Sequence, residues 1–211
     1  MKFHNRLEAG YQLADKLGKY IYENVIILAL PKGGIITAFP TIQRYNYKWD
    51  LLMTGKIGIS FNKEIYLGSV ASDGTYFLDE YMLDQETSKE ALKKEIEWEI
   101  EKTKRKMRKF RHTENMPDVC NKTVILIDDG MSTGYTMLAA VNCVRKKGAK
   151  KVIVAIPVSP SITLYILKSY VDEIICLQIP EPFYSIGSYY KNFAEIDDDE
   201  INDLINKLKK N

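Results

Sequence analysis

Hydrophobic positions along this chain alternate between two periods. Leu7, Ala14, Leu17 and Ile21 recur at helical spacing, and the unbroken apolar run "VIILAL" (25–30) follows. "KGGIITAFPTIQRY" reads as a turn leading into a helix, and "WDLLMTGKI" as a second strand. Three further apolar runs, "TVILID" (123–128), "KVIVAIPV" (151–158) and "EIICLQI" (173–179), are separated by helical stretches at 134–147 and 161–170. Strands that are apolar at every position must be covered on both faces, and intervening helices supply that cover. The pattern therefore predicts an α/β fold: an open, mostly parallel, doubly wound sheet of about five strands in one domain over 1–211.

Two segments depart from this alternation. "SVASDGTYFL" carries Asp73-Gly74 between strand-like residues and predicts a small hairpin with a two-residue turn. The stretch 84–112 is a helical insertion, with Leu92, Ile96, Ile100, Met107 and Phe110 on one face. Seven basic residues lie between Lys102 and Arg111, while glutamates fill the first half. That order suits the helix dipole, so the basic run is read as a solvated face rather than a nucleic-acid surface.

Composition narrows the function classes. In 211 residues, 30 Lys plus Arg stand against 28 Asp plus Glu, which gives no pull toward nucleic acid or an anionic membrane. Cys120, Cys143 and Cys176 are widely spaced without a metal-binding pattern, as expected of single buried thiols in a reducing compartment. The amphipathic first residues carry Glu8 and Asp15, unlike a signal peptide, and no apolar run matches a membrane span. A cytoplasmic protein is expected.

The candidate chemistry is concentrated in "VILIDDGMSTGYT" (124–136). A buried strand ends in Asp128 and Asp129 and runs into a loop of small and hydroxyl residues that opens a helix. Strand ends in such sheets face the ligand crevice. A helix N-terminus offers unpaired N–H groups to an anion. Paired carboxylates accept hydrogen bonds from a diol. One ligand with a phosphate beside a ribose fits these demands. The lysine of a GxxxxGK[ST] loop is missing and no GxGxxG follows a strand.

This stretch resembles the phosphoribosyl-pyrophosphate (PRPP) motif of type I phosphoribosyltransferases. "LALPKGGIITA" (28–38) resembles the same family's pyrophosphate loop. "NRLEAGYQLADKL", "NKEIYLGSVASDG" and "PEPFYSIGSYYKNF" extend the likeness to a bacterial and archaeal subfamily of predicted phosphoribosyltransferases. The resemblance implies Mg²⁺-assisted transfer of a 5-phosphoribosyl group from PRPP to a nitrogenous base, with pyrophosphate released. It implies a homodimer, with neither nucleic acid nor membrane as a partner.

By the same resemblance, Asp128 and Asp129 sit under the ribose as the catalytic pair. Met131, Ser132, Thr133, Gly134, Tyr135 and Thr136 hold the 5-phosphate. Lys32 with the amides of Gly33 and Gly34 takes the pyrophosphate, and the Pro31–Lys32 peptide is expected to be cis. A flexible lid is expected over 56–68, with Lys56 and Lys63 toward pyrophosphate and Glu64 activating the base. Solvated loop charges remain an equal reading for these three. A hood over 180–196 would stack Phe183 and Tyr184 on a planar base, although such aromatics also suit a core or a dimer contact. No direct protein ligand to the metal is expected beyond Asp128 and Asp129 through ribose or water. Ser132 stands where 6-oxopurine enzymes place an aspartate, so hypoxanthine and guanine are expected to be poor substrates. The alternative reading is a non-catalytic protein of the same fold that binds PRPP or a nucleotide as a regulator; a PRPP-dependent hydrolase is a third.

Overall fold

The structure is a computed structural model that describes residues 2–59, 62–82 and 88–210, with the side chains of 59 and 62–65 left undescribed. Five strands, β1 (Val25–Ala29), β2 (Lys48–Leu51), β6 (Thr123–Ile127), β7 (Lys151–Val158) and β8 (Glu173–Gln178), form a parallel sheet in the order β2-β1-β6-β7-β8. Every residue of β1 and β6 is buried. Alternate residues feed two apolar layers, with Ile27, Ile125 and Ile153 on one face and Leu28, Leu126 and Val154 on the other. This is the parallel sheet the continuous apolar runs predict.

Helices α1 (Arg6–Leu17) and α2 (Gly33–Tyr45) cover one face, and α4 (Tyr135–Lys146) covers the other. The helical face expected from Leu7 to Ile21 ends early, since Leu17 is fully buried but Ile21 is half-exposed. A short α5 (Ser161–Leu167) links β7 to β8. The helix α6 (Asp198–Lys209), absent from the sequence reading, buries Ile201, Ile205 and Leu208 in the α1/α2 layer.

The run "WDLLMTGKI" is not one strand. β2 ends at Leu51, and after Leu52 and Met53 the chain enters β3 (Thr54–Ile59) of a second sheet. There β3, β4 (Asn62–Ala71) and β5 (Tyr76–Leu78) pair antiparallel. The predicted hairpin is present, but its turn spans Ser72–Thr75 rather than two residues. Gly74 takes φ +85°, and Asp73 accepts from the Thr75 N–H at 3.0 Å. Of the stretch expected as a lid, 56–59 and 62–68 belong to the paired strands β3 and β4, and 60–61 lie outside the described residues. The helical insertion is α3 (Lys89–Arg111), capped by Ser88 and packed across β3 through Glu99 and Thr103. Cys143 is buried as expected, but Cys120 is exposed, and neither they nor Cys176 is disulfide-bonded.

Candidate functional site

The C-terminal ends of β1 and β6 lie side by side because the two strands pair in register, Ala29 opposite Ile127. Each strand passes into a turn that opens a helix, so two loops about 100 residues apart in sequence share one edge of the sheet. Above that edge lies a cleft of about 990 Å³ lined by Pro31 to Gly33, by Asp128 to Met137, by β3 and by α3.

The two loops interlock through glycine. A Cβ on Gly33 would lie 1.9 Å from Asp129 Oδ2, so any side chain there displaces the carboxylate. The Pro31–Lys32 peptide is cis, as the resemblance implies. Gly33 is the first residue of α2, where the N–H has no intrahelical partner and is free for a ligand. Gly34 is different: its N–H donates to the Leu30 carbonyl at 3.0 Å, and a Cβ there would meet the Ile127 carbonyl at 2.5 Å. The expected pyrophosphate contact from the Gly34 amide is therefore corrected; this glycine permits close packing of α2 on β6. Lys32 lines the cleft, but its ammonium is bonded to the Ile196 carbonyl at 2.9 Å and to Asp198 at 3.0 Å.

The second loop begins with the acidic pair. Asp129 accepts from Arg6 Nε at 2.6 Å, and both side chains are nearly buried, 13% and 11% exposed. Arg6 also lies 3.7 Å over the Phe193 ring and donates to the Ala194 carbonyl. Buried Tyr190 donates its hydroxyl to the Asp129 carbonyl at 2.6 Å. Asp128 accepts from the Asp129 N–H at 2.8 Å. Burial, then the Asp129 charge beside it, pushes the Asp128 carboxyl well above the usual carboxylate range. Sequence reasoning missed Arg6, whose partner is 123 positions away.

Beyond the pair, Gly134 takes φ +82° and caps α4, which aims the helix N-terminus into the cleft. Among the described residues, the Ser132 to Thr136 amides have no protein acceptor, and neither do the Thr133 and Thr136 hydroxyls. Met131 departs from expectation, because its N–H donates to the Val158 carbonyl at 2.9 Å and its side chain is buried. It shapes the loop and cannot offer its amide to a phosphate. Tyr135 donates its hydroxyl to Asp79 at 2.6 Å, and burial, then this hydrogen bond, pushes its pKa up to about 12.

Other expected residues are distributed unevenly. Lys56 lines the cleft, its ammonium 4.7 Å from the centre of the Tyr66 ring. Glu64 and Lys63 lie in β4, and their side chains fall outside the described residues. Phe183 and Tyr184 do not line the cleft. Phe183 stacks on Tyr189 at 5.5 Å, Tyr184 is 78% exposed, and only Ile186 of this segment reaches the lining. The aromatic rings that do line it are Tyr66, Trp98 and Tyr135. The face of α3 bearing Glu95, Trp98, Glu99, Lys102 and Lys106 forms a wall of the cleft, where the sequence implied only solvent.

Asp128 and Asp129 are the carboxyl groups beside the phosphate-type loops that could hold a divalent cation. Among the described residues, no cluster of three or more His, Cys, Asp or Glu could cage a metal. Mg²⁺ retains waters and binds through one or two carboxylates plus substrate phosphates, which Asp128 and Asp129 can accommodate. No described helix is long and apolar enough to cross a membrane.

Comparison with known proteins agrees with this architecture. The sequence profile of the phosphoribosyl transferase domain matches residues 5–190. A Mycobacterium tuberculosis protein bearing the provisional name of phosphoribosyl transferase is 30% identical over 200 residues, covering 94% of this chain and 45% of that protein. The chain thus spans about half the length of the curated relatives it matches. The crystal structure of TT1426 from Thermus thermophilus superposes with a TM-score of 0.81 at 29% identity, covering 99% of both chains. The AQ2163 protein of Aquifex aeolicus shares the fold at 15% identity, with a TM-score of 0.55 over 86% of this chain and 78% of its own. The interlocked β1 and β6 loops, the parallel sheet that aligns them and the profile match together show that this chain belongs to the phosphoribosyl transferase domain family.

Proposed function

We propose that the cleft binds PRPP with Mg²⁺ and transfers its 5-phosphoribosyl group to a nitrogenous base, releasing pyrophosphate. The observation that carries this reading is the fit of Gly33 against Asp129, which puts a phosphate-type loop on each side of a carboxylate pair. A ligand spanning the site meets, in order, anion-binding amides, carboxylates and a second anion-binding turn. That order matches the 5-phosphate, diol and pyrophosphate of PRPP.

In this reading, the free amides from Ser132 to Thr136 and the Thr133 and Thr136 hydroxyls hold the 5-phosphate at the α4 N-terminus. Asp128 and Asp129 orient the ribose hydroxyls and oppose the positive charge that grows on the ring as the anomeric bond breaks. Lys32 and the Gly33 amide receive the pyrophosphate. Mg²⁺, when bound, neutralises charge on the departing oxygens. Asp128 enters the cycle with its carboxyl biased toward the protonated form by burial, so ligand and cation must favour its ionisation. Glu64 is the candidate to activate the acceptor. Ser132 in place of an aspartate makes hypoxanthine and guanine poor acceptors. A homodimer in the cytoplasm completes the reading.

The test is pyrophosphate release from PRPP and Mg²⁺ with a panel of bases. Asp129→Asn should lower kcat about 100-fold while changing PRPP affinity little, because its charge matters most when the ring is cationic. Tight PRPP binding with no turnover on any base would favour the regulator instead.

A further inference from the structure

We propose that α3 supplies a fixed cationic wall for the leaving group: Lys102 and Lys106, with Lys32 across the cleft edge, form a binding site for a diphosphate anion. This rests on the reading of the cleft as a PRPP site and adds to Lys32 two lysines, Lys102 and Lys106, that lie outside the recognised motifs.

The basic run of α3 divides in two. Lys104 pairs with Glu101, Arg108 with Glu114, Lys109 with Asp198 and Arg111 with Asp50, while Arg105 lies 5.3 Å over the Trp98 ring. These five have partners on the helix itself or outside the cleft. Lys102 and Lys106 lie one turn apart on the flank that lines it. That flank is fixed by packing, because Glu99, Thr103 and Met107 are buried, and the Glu99 carboxylate abuts the backbone of Gly55 on β3.

The wall carries Glu95 as well as Glu99, but Glu95 lies about three helical turns before Lys106, so the uncompensated positive charge is confined to the Lys106 end. Lys102 is held by buried Glu99 at 2.8 Å and Lys32 by Asp198, whereas Lys106 makes no ion pair among the described residues. Lys106 is solvent-exposed, yet partial desolvation and then the neighbouring Lys102 lower the pKa of its ammonium; Lys32 adds to this, while Glu99 and Asp198 oppose it. A lysine crowded by like charges is stabilised by an anion that contacts several of them at once. A diphosphate offers oxygens on two phosphorus atoms and enough negative charge to bridge such a cluster. Lys32 places the cluster beside the Pro31–Gly33 turn rather than at the α4 loop, so it suits the pyrophosphate end of PRPP and not the 5-phosphate.

The experiment is calorimetric titration of the wild-type chain, Lys106→Gln and Lys106→Arg with PRPP, inorganic pyrophosphate and ribose 5-phosphate, each with Mg²⁺. The Gln variant should bind PRPP and pyrophosphate about tenfold more weakly, ribose 5-phosphate should be unaffected, and the Arg variant should recover most of the loss. Unchanged PRPP and pyrophosphate affinity in the Gln variant overturns the assignment, as does an equal loss for ribose 5-phosphate, which would mark a structural role. A wild-type chain that fails to bind PRPP would sink the proposed function itself, while the pyrophosphate arm still reports on Lys106.

Discussion

Arg6, in the first turn of α1, places its Nε 2.6 Å from Asp129 Oδ2 at the end of β6, so the first helix reaches the centre of the candidate site. The contact offsets a specific electrostatic cost. Asp128 and Asp129 are adjacent carboxyl groups at a sheet edge, and the guanidinium supplies the positive charge that pairs with the Asp129 carboxylate. Phe193 beneath the guanidinium and Tyr190 on the Asp129 carbonyl tie the C-terminal segment to the same point.

Arg6→Gln should destabilise the fold by about 3 kcal/mol, because it leaves a nearly buried carboxylate beside a second one. In a chain of this size that is a fall in Tm of roughly 6–12 °C. Adding Asp129→Asn should recover much of the loss. Thermal melts of the two single variants and the double variant check the coupling, and strict additivity would show that the pair does not interact.

Asp128→Asn should raise Tm at neutral pH. The folded carboxyl titrates above its unfolded value, so the folded state binds the extra proton, and stability falls as pH rises from the unfolded pKa toward the folded one. Removing the carboxyl removes that cost while keeping the oxygen that accepts from the Asp129 N–H. The gain should be absent below about pH 4, where the carboxyl is protonated in both states, and present at neutral pH. Melting curves at the two pH values decide it; a gain of the same size at both excludes titration of Asp128 as its source.

Gly33→Ala should abolish most pyrophosphate release. The added methyl occupies the position of Asp129 Oδ2, so either the carboxylate leaves Arg6 or the Pro31–Gly33 turn withdraws from the cleft. Displacement of about 1 Å at a reacting site costs on the order of 100-fold in rate. Steady-state kinetics gives the magnitude, and a crystal structure of the variant would show which side moved.

Tyr184→Ala should leave kcat and the acceptor KM within about twofold, since an exposed ring outside the cleft has no substrate to contact. A large increase in acceptor KM would return this tyrosine to the hood that the sequence implies.

The sequence by itself determined the sheet and the two loops. Unbroken apolar runs require burial on both faces, and the turn chemistry of "PKGG" and "DDGMSTG" is local, so periodicity and motif suffice for β1, β6 and the helices they feed. Only the tertiary structure decided which groups in those loops are free. The amides of Gly34 and Met131 look available in sequence, but Leu30 and Val158 take their hydrogen bonds. Phe183 and Tyr184 look like a stacking surface, yet one pairs with Tyr189 and the other faces solvent. Arg6 and Lys106 look like ordinary surface charges, and α3 like a solvated helix. A charged side chain carries no local sign of the surface it meets; that depends on how its helix is rotated and docked, which is set by apolar and small residues elsewhere, here Met107 beneath α3 and Gly55 beneath Glu99.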